Sequence, residues 1–120
     1  MTIPTTTPSA PTIPLTPELR AAYETLYDNY ESAIENTTDV GALEALNDSQ
    51  NDVSDILEKD DEYRLAANAT LYDALLQHIN TTNVDLKALK TKLLAISNGI
   101  SIFGDVLGAI DKVLTLIPGA

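Results

Sequence analysis

Residues 84–117 read VDLKALKTKLLAISNGISIFGDVLGAIDKVLTLI. The large apolar side chains fall at Leu86, Leu89, Leu93, Ile96, Ile100, Phe103, Leu107, Ile110, Leu114 and Ile117, in steps of three and four. This is the a/d heptad pattern of a coiled coil, and it lines one seam of a helix. A single helix over the stretch would be about 51 Å long at ~1.5 Å per residue. Thr82 and Asp85 form an approximate capping box before it, and Pro118-Gly119 stops it.

Ser97-Asn98-Gly99 interrupt the stretch with poor helix formers, and Asn-Gly is a turn signal. The seam still passes from Ile96 to Ile100 in register, so the pattern favours one continuous helix, bent at Gly99. A break there gives two helices instead. Before the triplet the outer face carries Lys87, Lys90 and Lys92. After it Ile102, Val106, Val113 and Leu116 widen the apolar face, and Gly104, Gly108 and Ala109 are small enough for close helix approach.

Working toward the N-terminus, a helix over about Asp61–Ile79 carries Leu65, Tyr72, Leu75, Leu76 and Ile79, with Asp60 or Asp61 as its cap and a turn at Asn80-Thr81. A helix from Thr38 or Asp39 to about Glu58 carries Leu43, Leu46, Val53 and Leu57, with Gln50 as a polar interruption of its seam. The first helix starts at the N-cap Thr16, with Pro17 at its first position and Glu18 at the positive end of its dipole. Its seam is Leu19, Tyr23, Leu26, Tyr30 and Ala33. Ahead of it, Pro8, Pro11, Pro14 and Pro17 recur every three residues in a Thr/Pro-rich segment, the period of polyproline II. Residues 1–15 therefore read as a disordered leader and 16–120 as one domain. The expected fold is all-α: an antiparallel helical bundle of four helices with a long C-terminal helix, or of five if that helix breaks at Gly99.

The 120 residues contain no cysteine and no tryptophan, one phenylalanine and one histidine. The core must then be aliphatic, and thiolate chemistry is excluded. Net charge is −11 and unevenly placed. Between Glu18 and Glu62 lie 14 acidic residues, opposed by Arg20 and Lys59 alone. Two acidic stripes stand out, Glu24-Asp28-Glu31-Glu35 and Glu44-Asp48-Asp52-Asp55. Such a chain lacks the basic footprint of direct nucleic-acid binding.

No catalytic, cofactor or metal constellation emerges. His78 has no nucleophile or orienting group at a useful spacing and reads as a helix-end histidine. The run Asp48–Asp61 lacks the glycine and glutamate that a calcium loop needs at positions six and twelve. Sequons at Asn36, Asn47, Asn68 and Asn80 fit chance in an Asn/Thr-rich chain. Gly104 and Gly108 match Gly-x-x-x-Gly, but Asp105, Asp111 and Lys112 oppose membrane insertion at roughly 2.5–3.5 kcal/mol each near a bilayer centre. With no signal-peptide pattern and no spanning segment, the expected location is cytoplasmic, or outside the cell without a cleaved signal.

The expected function is therefore non-enzymatic, with no cofactor. The protein would act through protein–protein interaction or self-association, its partner itself or another helical protein. The expected interface is Ile100, Phe103, Leu107, Ile110, Leu114 and Ile117. Two other classes fit less well: a membrane-active protein such as a pore-forming or secreted toxin component, and an acidic inhibitor that mimics nucleic acid.

Overall fold

The computed structural model describes residues 13–96 and 99–116, apart from the side chains of 99–102. Most of the leader, the Ser97-Asn98 pair and the Pro118-Gly119 stop therefore lie outside the described residues. Four helices appear: α1 Pro17–Asn36, α2 Val40–Leu65, α3 Ala69–Ala95 and α4 Gly99–Leu116. The described residues are helical apart from short connections and ends, and include no strand. α1 packs on α2 and α4, α2 on α3, and α3 on α4, so each helix touches its sequence neighbours and α4 closes the ring on α1.

α1 follows its sequence closely. The Thr16 hydroxyl accepts the Leu19 N–H at 3.1 Å, and Pro17 occupies the first turn. Leu19, Tyr23, Leu26, Tyr30 and Ala33 are all buried. α2 starts as expected, with the Asp39 carboxylate accepting the Ala42 N–H at 2.8 Å. It does not stop near Glu58 but runs on to Leu65. Its buried positions Leu46, Ser49, Val53, Ile56 and Asp60 keep steps of three and four. Asp60, expected as a cap, is thus a seam residue in mid-helix. Ser49, not Gln50, is the other polar residue of that seam.

The expected turn at Asn80-Thr81 is absent. Leu75, Ile79, Thr82, Leu86, Leu89 and Leu93 form one seam through it, with Thr82 filling an apolar position. α3 starts at the Asn68 cap, whose side-chain oxygen accepts the Leu71 N–H at 2.9 Å. The second correction concerns the C-terminal stripe. α3 ends at Ala95, with Ile96 in extended geometry (ψ 138°), and α4 starts at Gly99, so the long continuous helix is replaced by the end of α3 and a separate α4. Burial gives the reason. A straight helix would hold its second half away from the rest of the chain, whereas folding back buries Phe103, Val106, Leu107, Ile110 and Val113. Each such side chain contributes roughly 1.5–3 kcal/mol on leaving water. The count remains four because the expected third helix and the front of the stripe have fused into α3.

Candidate functional surfaces

The expected interface lies on α4. Phe103, Leu107 and Ile110 are 1%, 8% and 0% exposed, and Leu114 is half-buried. The side chains of Ile100 and Ile117 lie outside the described residues. The seam is thus occupied by the chain's own core, packed on α1 and α3. Backbone angles at Phe103 (φ −111°, ψ 18°) depart from the helical range and kink α4 there.

The outer face of α4 shows Gly104, Asp105, Gly108, Asp111, Lys112 and Thr115 to solvent. A Cβ added at Gly104 or Gly108 would meet nothing within 4 Å. The two glycines therefore face open space; of the three small residues expected to allow close approach, Ala109 alone is buried. Two polar contacts pin this helix. Asn29 Nδ2 donates to the Asp105 carbonyl at 3.3 Å, and Lys90 Nζ meets an Asp111 carboxylate oxygen at 2.7 Å.

A second feature joins the start of α1 to α2. Asp60 is fully buried, and its carboxylate accepts from the Leu15 N–H at 2.9 Å, from Arg20 at 2.6 Å and from Arg64 at 2.8 Å. Arg64 also donates to the Leu15 carbonyl at 2.6 Å. Both backbone groups of Leu15 are thereby held, and its side chain is buried in the core. Burial by itself would raise the Asp60 pKa. The bonds from Arg64, the Leu15 N–H and Arg20 outweigh it and hold the carboxyl below its usual range. The scarcity of cations was the signal: Arg20, Lys59 and Arg64 are the only ones before residue 65, and Arg64 stands four residues after Asp60.

Between α2 and α3 a groove of about 300 Å³ is lined by Ala45, Ser49, Ala88 and Leu89 together with Asp48, Asp52, Asp85 and Lys92. Among the described residues no Lys, Arg or His lies within 4.0 Å of the three carboxylates. Burial, opposed by His78 and helped by Asp85, Asp55 and Asp48, pushes the Asp52 carboxyl above its ordinary value. His78 sits inside α3 rather than at a helix end. Its Nε2 is 3.1 Å from the Asp52 carbonyl and 3.9 Å from Asp55.

The core also holds polar atoms. The Tyr30 hydroxyl and Ser49 Oγ share a 2.6 Å hydrogen bond, whereas the Tyr23 hydroxyl, Thr82 Oγ1 and Asn83 Oδ1 are buried without a partner among the described residues. Burial raises the pKa of both tyrosines. Among the described residues no group of three or more His, Asp or Glu is arranged to hold a metal ion, and no helix is long and apolar enough to cross a membrane. No protein-family model matches the chain, and neither the curated proteins nor the solved structures compared with it give a match.

Proposed function

We propose that this protein is an antiparallel four-helix bundle that works without catalysis, by associating with a copy of itself or with another helical protein through α4. Cross-helix partners run in opposite order along the chain, which supports the antiparallel arrangement. Arg20 meets Asp60 while Tyr30 meets Ser49. His78 meets Asp52 while Lys92 lies beside Gly41. Asn29 meets Asp105 while Glu18 shares a groove with Lys112.

One observation carries the functional reading. The α4 seam of Ile100, Phe103, Leu107, Ile110, Leu114 and Ile117 continues the α3 seam in the same heptad phase across a three-residue joint. A seam of that kind fits its own bundle or another helical layer equally well. Light scattering across a wide concentration range, with binding of a dye that reports exposed apolar surface, tests this. Mass rising with concentration supports it. A constant monomer mass without dye binding refutes its self-association form.

The acidic groove favours a second reading, recognition of a basic protein surface by Asp48, Asp52 and Asp85. Loss of salt-sensitive capture of a polycationic probe in the triple Asp→Asn variant supports it. Equal capture by the parent and the variant counts against it.

A further inference from the structure

The joint between α3 and α4 combines two facts that a folded-back chain does not require together. Each helix presents its own seam to the core, Leu86, Leu89 and Leu93 from α3 and Phe103 and Ile110 from α4. The registers of two separately packed helices are independent, so nothing about folding back demands that they match. They do match: Leu93, Ile96, Ile100, Phe103 and Leu107 keep steps of three and four straight through the joint. The joint is also short, three residues from Ala95 to Gly99. Helical geometry over those residues alone would join α3 and α4 into one rod with a continuous apolar face.

We propose that α3 and α4 straighten in this way and that α4 is then received by the α1 and α3 faces of a second copy, giving a domain-swapped dimer. The proposal rests on the reading of α4 as the association element and adds the mechanism. In such an exchange Phe103, Val106, Ile110 and Val113 regain the same neighbours from the other chain, and so does the Lys90–Asp111 pair. Two copies meet by a two-fold operation and each receives the other's α4, so the assembly closes at two. The opposing terms are the lost freedom of two molecules and the repulsion of two chains of charge −11. High protein concentration and added salt both favour the dimer. Exchange is slow, because α4 must leave its core before it can enter another.

The Lys90–Asp111 contact at 2.7 Å makes the swap readable. A zero-length carbodiimide reagent joins that pair within one chain in the monomer and between chains in the swapped dimer. Equal amounts of nitrogen-15-labelled and unlabelled full-length protein are incubated concentrated and warm, separated by size, coupled and digested for mass spectrometry. The dimer is expected to give Lys90–Asp111 peptide pairs with one light and one heavy member, and the monomer unmixed pairs alone. Asn98→Pro is expected to suppress the dimer, because proline opposes a helix through the joint. Gly99→Ala, which favours it, is expected to raise the dimer fraction several-fold. A dimer whose pairs are all unmixed overturns the swap and leaves association through some other surface standing. So does dimerisation unchanged in both variants. A monomer under every condition, Gly99→Ala included, overturns the swap and self-association through α4 together.

Discussion

Replacing Asp60 by asparagine keeps the size and shape of a side chain that ties Leu15 to α1 and α2. Oδ1 can still accept the Leu15 N–H, seen at 2.9 Å. The charge is lost, and the new amide opposes the donors of Arg20 and Arg64, now at 2.6 and 2.8 Å. Breaking a fully buried ion pair costs about 3–5 kcal/mol. The partners here are not fully buried, with 26% and 42% of the Arg20 and Arg64 side chains exposed, so water screens part of the loss. The expected destabilisation is therefore about 2–4 kcal/mol at pH 7, a large share of the ~5–15 kcal/mol of a typical domain. The pH dependence follows from the lowered Asp60 pKa. A carboxylate whose folded pKa lies below its unfolded value contributes stability that is present above about pH 4 and is lost as pH falls through the folded pKa. Urea unfolding followed by circular dichroism, at steps from pH 7 to pH 2.5, should show the gap between Asp60→Asn and the parent closing at the acid end. A gap under about 0.5 kcal/mol at pH 7, or one that does not change with pH, would refute the reasoning.

Further outcomes follow from the packing. Ile110→Ala should cost about 2–5 kcal/mol in urea unfolding, since Ile110 is fully buried between α4 and its neighbours; a near-neutral result would place α4 outside the core. Gly104→Ala and Gly108→Ala should each stabilise by up to ~1 kcal/mol, because the added methyl meets open space and alanine is the better helix former, and thermal melts measure it. Tyr30→Phe should cost about 1–3 kcal/mol by leaving Ser49 Oγ buried without its 2.6 Å partner. Tyr23→Phe removes a hydroxyl that has no partner among the described residues and should be neutral or slightly stabilising.

Most of the helical content is legible in the sequence, and the run of α2 past Glu58 and of α3 through Asn80-Thr81 share one reason for escaping it. Polar residues occupy seam positions. Asp60 and Thr82 sit in phase with the apolar residues around them, but by sequence each resembles a helix cap, Asp60 for the expected third helix and Thr82 for the long C-terminal one. α1 has no such residue on its seam apart from tyrosines, and its seam and cap match the sequence pattern. The break before Gly99 was visible as Ser97-Asn98-Gly99 but outweighed by the heptad phase, which describes neighbouring residues and says nothing of what covers them. Covering α4 is a tertiary matter, decided by the face that α1 and α3 offer it. Of the expected interface residues, Phe103, Leu107 and Ile110 lie inside the chain's own fold. The acidic groove was half legible. Asp48 and Asp52 were read as part of a stripe, whereas Asp85 joins them only because α3 runs unbroken through Thr82 and packs on α2.

Self-association through α4 is tested most directly by sedimentation equilibrium of the full-length protein across a thousandfold range of concentration, at low and high salt. The account predicts a mass of 12.9 kDa when dilute, moving toward twice that value when concentrated, at lower concentration in high salt. A mass fixed at 12.9 kDa throughout the range and at both salts would contradict it.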